Sequence, residues 1–466
     1  MAGLISSLHN SSGALKVHSK GLEVVGKNLA NINNRNYAKQ RVEIGDRGQI
    51  NTGIATESMG VEAMGLRQNR DALLDKSVLR ELTGTASLEA TQKVLQNAET
   101  ALGQFLDRTK DSTSIQNALR SGGGGISDAL TDFFNAWESV SVKPNDIGEK
   151  QLLIEKAKIL AEKINQTDDR LEQVQLDVDE QVQSDVGVVN GILDEIAKIN
   201  QYIAKAEIGK PYSAVDLRDQ RQAKLEELSN YLDIQFETIP DSLGQIKVSA
   251  DETTLVDGTE VPGQLAYDGD PDSATFRQFT LGGAAFEPSR GKLAAQVETV
   301  TGSVQTAREE VAQLREALKT SVNDAYEQAF FAVDDNKKIS LSVDSIVAGT
   351  AGSNRIALNV AALGTKVVEF VNPADTTKNQ NATFTAFFNK TVTTVAQQLS
   401  STNIRLEDQQ LSEQNALNSR DQYSGVSQDE EITDMMKFQR SFQASARHIN
   451  VLDTLLEQVV NRLGVG

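Results

Sequence analysis

The chain contains no cysteine, which removes disulfides, thiolate nucleophiles and cysteine-ligated metal sites at once. Proline is scarce, seven in 466 residues, and aromatic residues make up only 5%, so the composition favours long helices and offers few anchors for a thick core. No run of eighteen apolar residues occurs, which argues against a membrane span. Basic residues number 46 against 65 acidic ones, and the resulting charge of −19 argues against a nucleic-acid backbone as partner. The first residues lack the basic, apolar, then small-residue order of a cleaved signal peptide. Export by a route that handles unfolded chains is compatible with these absences. The length predicts roughly two to four domains.

What the chain does have is concentrated at its ends. Met435, Phe442, Ile449, Leu456 and Leu463 recur every seven residues, with Phe438, Ser445, Leu452 and Val459 on the companion line; eight of these nine positions are apolar. The outward positions, among them Lys437, Arg440, Arg447, Asn450 and Asp453, form a wettable back. At the other end Leu8, Leu15, Leu22 and Leu29 share the same spacing. Leu4, Val25 and Ile32 lie on their companion line, with Ser11 and His18 as polar interruptions. Both ends therefore predict helices with coiled-coil seams. Burial of one stripe does not offset the entropy of ordering a helix of this length, so each seam needs a partner. The expectation is that both ends stay loose in a free monomer and become ordered when neighbouring subunits cover them.

Between the ends, the asparagine-rich stretch 28–37 ends the first helix, because asparagine competes for backbone hydrogen bonds and tolerates left-handed φ. Glycines at 45, 48, 53, 60 and 65 predict extended or weak β structure over 40–65. Helical spacing resumes from Leu66 to about Leu106, including Phe105, and breaks at Ser121-Gly122-Gly123-Gly124-Gly125. Ile126, Leu130, Phe133, Phe134 and Trp137 form an apolar cluster that caps the long helices. Residues 151–206 carry the longest periodic run, with Ala157, Ile164, Leu171 and Val178 in one phase and Val189, Ile196 and Ile203 in a phase shifted by four, a stutter. Pro211 and Tyr212 close it, and a short helix over 215–232 comes next. Glycine, proline and short β-type runs then predict a small β subdomain; helix returns over 293–331 and 385–411 around a second β-containing insert.

The predicted fold class is mainly α and elongated, with discontinuous domains built on long helices and coiled-coil termini and small β-containing inserts. The domains expected are 1–35 plus 430–466 as a terminal coiled-coil assembly domain and 36–232 plus 291–331 plus 400–429 as a helical rod. Residues 233–290 form the small β subdomain, and 332–399 an outward mixed α/β insert. No catalytic or metal-binding residues are assigned and no cofactor is implied. The three histidines, His9, His18 and His448, sit on the terminal helices without metal-ligand spacing. Asp268-Gly269-Asp270-Pro271-Asp272 begins like a calcium loop, but Ser273 and Phe279 stand where glycine and glutamate belong. The glycines at 122–125 lack the following Gly-Lys-Ser/Thr of a phosphate cradle. Asp177, Asp179, Glu180 and Asp185 read as the wet face of the rod.

Gly21-Leu22-Glu23-Val24-Val25-Gly26-Lys27-Asn28-Leu29-Ala30-Asn31 resembles the N-terminal motif shared by rod, hook and hook-associated proteins of the bacterial flagellum. Ser424-Gly425-Val426, Asp429-Glu430-Glu431 and the run 437–447 resemble the C-terminal signature of the FlgK family, the first hook-associated proteins. Asp71-Ala72-Leu73-Leu74-Asp75 and Asp216-Leu217-Arg218-Asp219-Gln220-Arg221 agree with that family in particular. The resemblance covers both ends and the helical middle and leaves 233–290 and 332–400 nearly unsupported. Asn33-Asn34-Arg35-Asn36-Tyr37 departs from the family's Asn-Thr-Pro-Gly-Tyr, whereas Tyr37 and Arg41 match. Asn28, Asn31, Tyr37 and Arg41 are accordingly expected to carry the first-turn motif.

The resemblance implies a structural, non-enzymatic component of the flagellum, exported unfolded through the flagellum's own secretion channel and therefore extracellular. A dedicated chaperone would hold the C-terminal helix until export. The chain would self-associate in a ring at the hook–filament junction, with the hook protein and the next hook-associated protein as axial neighbours and the inserts facing outward. Two alternatives compete. A hook or distal-rod protein would carry more β structure through its middle, and a secreted coiled-coil adhesin or binding module would form a stable soluble oligomer.

Overall fold

Heptad spacing and scarce proline translate into long helices linked by short antiparallel sheets. The computed structural model describes residues 2–51, 56–103, 125–209, 213–348, 353–371 and 379–462. Helix α1 (Ala2–Ala30) ends where the asparagines begin. Strands β1 (Gln40–Asp46) and β4 (Val61–Gln68) then pair as an antiparallel ribbon, bulged between Glu43 and Ile44, and β2 (Gln49–Asn51) pairs with β3 (Thr56–Ser58) beyond it. Leu66, expected to start a helix, stands in β4 opposite Val42. Helix α2 (Ala72–Ala101) starts only after Asp71, whose carboxylate accepts the Leu73 amide as a cap. Phe105, Leu106 and Ser121 to Gly124 lie outside the described residues.

Helix α3 (Ile126–Val142) buries Ile126, Leu130, Phe133, Phe134 and Trp137, and α4 (Ile147–Ala206) runs for 60 residues, about 90 Å at 1.5 Å per residue. Asp146 caps α4 through the Gly148 and Glu149 amides. Pro211 and Tyr212 lie outside the described residues. Helix α5 (Val215–Ser229) leads into two three-stranded antiparallel sheets. The first is β5 (Ile234–Thr238), β6 (Ile246–Ala250) and β7 (Thr253–Asp257); the second is β8 (Leu265–Tyr267), β9 (Phe279–Leu281) and β10 (Ala284–Phe286). Helix α6 (Lys292–Thr299) passes through a π turn, Val300–Val304, into α7 (Gln305–Tyr326). The hairpin of β11 (Phe331–Val333) and β12 (Ile339–Leu341), helix α8 (Arg355–Ala362), and the hairpin of β13 (Val368–Phe370) and β14 (Gln380–Ala382) complete the second insert. Helix α9 (Phe384–Ser424) then returns along α2, and α10 (Gln428–Arg462) ends the described chain. The predicted boundary at 399/400 falls inside α9, whose buried face runs without a break from Phe384 through Val395, Leu399 and Leu406.

One apolar core threads the body and both inserts. At its thickest point Trp137 and Phe133 of α3 meet Tyr326, Phe330 and Phe331, with ring centroids 5.4 to 5.9 Å apart across the two groups. The small sheets are fastened to α4 by asparagines that stand in for a missing strand. Asn190 exchanges two hydrogen bonds with the Leu265 backbone, and Asn165 does the same with Ile339. Two of the four acids read as a wet face are buried: Asp179 accepts from Arg277 and the Tyr267 hydroxyl, and Asp185 pairs with Lys292. Asp177 and Glu180 are exposed. The difference arises because a heptad pattern places residues on a helix without saying which later segments fold over it.

Candidate assembly interface

Helices α1 and α10 cross antiparallel, so the first and last helices of the chain partner each other. Ser11 Oγ lies 2.7 Å from His448 Nδ1, the His18 ring sits 6.3 Å from that of Phe438, and Asn28 Nδ2 donates to Glu431 Oε2 at 2.9 Å. A Cβ at Gly21 would fall 2.7 Å from the Phe438 ring, so only glycine permits this approach. Pairing within one chain differs from the expectation that the ends wait for neighbours, and its cause is visible. Ser11 and His18, taken as interruptions, face α10 together with Gly21, Val25 and Asn28.

Val25 is buried, while Leu4, Leu8, Leu15, Leu22 and Leu29 are only half-buried along the flank of the pair. Ile32 is exposed and lies past the end of α1, so it belongs to the turn and not to a helical seam. On α10, Leu452 is buried and Met435, Phe438, Phe442, Ser445, Ile449, Leu456 and Val459 are half-buried. Leu463 lies outside the described residues. Elsewhere round α10, Ile432, Met436, Val451, Leu455 and Val460 are exposed. The ribbon covers a third side of α1, where Val17 and Val24 are buried and Gly13 lies against the Val61 carbonyl.

The pair is tied to the body through a buried polar joint centred on Asn28. Its amide donates to the Gln40 carbonyl at 3.0 Å and to Glu431, while its oxygen accepts from the Tyr37 hydroxyl at 2.8 Å and the Gln40 amide at 3.1 Å. One side chain thus joins α1, the turn, β1 and α10. Burial and the nearby carboxylates of Asp219, Asp216 and Glu431 hold the Tyr37 hydroxyl protonated far above its usual range. Asn31 closes the end of α1 by donating to the Lys27 carbonyl, and Arg41 is exposed and donates to Asn69. The joint brings Asn28 and Tyr37 together; Asn31 and Arg41 stand at its rim.

Further residues complete the joint. Lys39 pairs with Glu430 and Glu431 at 2.7 and 2.9 Å, and Asn69 donates to the Tyr423 carbonyl. Asp216 receives Lys27 and Gln40. Arg70 spans Asp75, Asp219 and the Asn36 carbonyl. Arg420 reaches Glu226 and the Arg35 carbonyl. Burial raises Asp219 to about 6 despite Arg70 beside it, and raises Asp75 as well. Glu431, Asp75, Asp216 and Asp219 stand within stretches that carried the family resemblance, but no role for them could be read from spacing. Beside the joint, a cleft of about 810 Å³ opens between the turn and the start of α10, lined by Tyr37, Lys39, Arg41, Tyr423 and Glu430 among others.

A family model described as the flagellar hook-associated protein FlgK helical domain matches residues 112–338, and one described as the flagellar basal body rod FlgEFG protein C-terminal matches 418–463. The chain belongs to the FlgK family of flagellar hook-associated proteins. It is a structural component of the flagellum, not an enzyme. It is 24% identical to the flagellar hook-associated protein 1 of Bacillus subtilis (strain 168), with 100% of both chains aligned. Against the protein of that name from Salmonella typhimurium it is 22% identical over 395 residues, 83% of this chain and 66% of the relative. Among solved structures, the flagellar hook junction protein FlgK from Burkholderia pseudomallei matches 55% of this chain and 47% of its own at 19% identity, with a TM-score of 0.43. For this FlgK-family chain, the mainly α architecture with small antiparallel sheets agrees with the fold class expected from periodicity.

Proposed function

We propose that the chain forms part of the junction between hook and filament, polymerising through its terminal helices in a ring after export as an unfolded chain. The observation that carries this reading is the incomplete cover of the terminal pair. The leucine line of α1 is half-buried, and α10 presents five large apolar residues to solvent along its length. Partly covered apolar side chains along a long helix mate readily with another protein surface. The seam residues Leu4, Leu8, Leu15, Leu22 and Leu29, with Met435, Phe442, Ile449, Leu456, Val459 and Leu463, form the assembly surface, and Val25, Phe438 and Leu452 hold the two helices together beneath it. Asn28, Asn31, Tyr37 and Arg41 set its angle to the body. Neighbouring subunits, the hook protein and the next hook-associated protein cover the remainder, and an export chaperone shields α10 beforehand. The polar joint supports the same reading, because it fixes the pair to the body without burying its outer faces.

Deletion of residues 432–466 tests the scheme. The shortened chain is expected to be secreted and then shed into the medium, with purified hook–filament junctions lacking it. Retention of the shortened chain in those junctions would refute the role given to α10.

A further inference from the structure

Four arginines line one cavity of about 530 Å³ between the ribbon, α5 and the β5–β6 pair: Arg67 of β4, Arg70 before α2, and Arg218 and Arg221 of α5. Glu43 and Asp75 are the carboxylates on its lining. Two of the arginines are neutralised, Arg70 by Asp75 and Asp219 and Arg218 by Glu207. Arg221 is different. It is only 7% exposed and makes no ion pair among the described residues. Its Nη1 donates to Asn200 Oδ1 and to the Gly244 carbonyl, both at 2.8 Å, and its Nε and Nη2 donors meet no acceptor among the described residues. A guanidinium so deeply buried without an ion pair of its own is costly: burial, with Arg218 alongside, pushes Arg221 down to about 9 against the upward pull of Glu207, a carboxylate already engaged by Arg218.

The ribbon side of the cavity repeats the pattern. Arg67 stands directly opposite Arg41 across the two strands, a like-charge pairing that weakens a ribbon unless an anion lies nearby. Lys76 adds another cation, 5.4 Å above the ring of Phe236, which also lines the cavity. Cations in excess of carboxylates are the more telling in a chain whose overall balance is strongly acidic.

We propose that this cavity binds a small oxyanion, phosphate or a short carboxylate, held between Arg221 of α5 and Arg67 of the ribbon. The open Nε and Nη2 donors of Arg221 present the planar fork that oxyanions accept, and Arg67 closes the open side. Because the ribbon packs on α1, the bound anion ties the ribbon to the body and limits its swing. The proposal is independent of the junction role.

Thermal unfolding of the full chain in sodium phosphate, in sodium acetate and in sodium chloride at matched ionic strength tests it. Phosphate or acetate is expected to raise Tm along a saturating curve beyond the chloride control. The stronger of the two identifies the ligand as a tetrahedral or a carboxylate anion. Arg221→Gln is expected to weaken the apparent affinity about tenfold or more, and the exposed Arg67→Gln about threefold. Should Arg221→Gln fail to fold, Arg67→Gln decides alone. No shift beyond chloride, or an Arg67→Gln response equal to that of the parent chain, overturns the proposal.

Discussion

Helices α4 and α10 carry seams of the same kind, yet they differ in what covers them. Along α4, Leu160, Ile164, Leu171, Val182, Val189 and Ile196 are all fully buried, under α3, α5, α7 and the small sheets. Along α10, most of the seam is half-buried, and the residue that is nearly inaccessible beside Leu452 is a glutamate, Glu431. A heptad repeat states that a helix needs a partner; it does not state whether the same chain supplies enough of one. The body supplies it fully and the terminal pair only in part. Conversely, the terminal pair is held in register by polar contacts at Ser11–His448 and Asn28–Glu431, whereas the body adds its polar bridges to a fully covered apolar core.

Five substitutions and a pH series press on this contrast, from the largest expected effect downwards. Trp137→Ala opens a cavity among Phe133, Tyr326 and Phe330 and is expected to cost about 3–5 kcal/mol in urea unfolding, whereas Phe442→Ala in the isolated chain costs less than about 1 kcal/mol. Equal losses would erase the difference between the two regions. Asn28→Ala strands the Gln40 amide and the Tyr37 hydroxyl, leaves Glu431 to Lys39 alone, and is expected to cost about 2–3 kcal/mol locally. Amide exchange should quicken in α1 and the start of α10 and remain unchanged in α4; a uniform change along the chain would contradict the local role.

The pH responses of the two regions should have opposite signs. Asp219 rises from its ordinary 3.8 to about 6 in the folded chain, so its contribution is present below 3.8 and is lost as pH rises through 6, a swing of at most about 3 kcal/mol. Asp219→Asn should flatten that slope in denaturant midpoints measured from pH 4 to 7. His18 moves the other way: burial lowers its pKa from 6.5, and its Nδ1 is buried without a partner among the described residues. Its contribution is present above 6.5 and is lost as pH falls. Protection factors in α1 should therefore drop modestly between pH 7.5 and 5.5, and His18→Gln should remove the drop. If α1 and the body respond to acid with the same sign, the assignment of these two groups is wrong.

Particular residues show how far reading from spacing reaches. Leu160 to Ile203 declare a buried stripe because apolar residues at helical intervals have few other uses. Asp179 and Asp185 look like solvent-facing acids, because Arg277 and Lys292 come 98 and 107 residues later. Ser11 and His18 look like flaws in a leucine line, although they are the positions turned toward α10. Asn28 and Glu431 are 403 residues apart, and nothing local to either names the other. Leu66 shares helical spacing with the residues of α2, but pairing with Val42 placed it in a strand.

Local chemistry in the amino-acid order was thus sufficient for the helices, the turn after α1 and the existence of two apolar ribbons in need of cover. Folding in three dimensions alone chose which face of α1 meets α10, which acids are buried, and which arginine is left without an ion pair among the described residues. The physical reason is range: helix propensity and amphipathic spacing act over a few residues, whereas ion pairs, asparagine bridges and close glycine contacts form between segments that only the completed packing brings together.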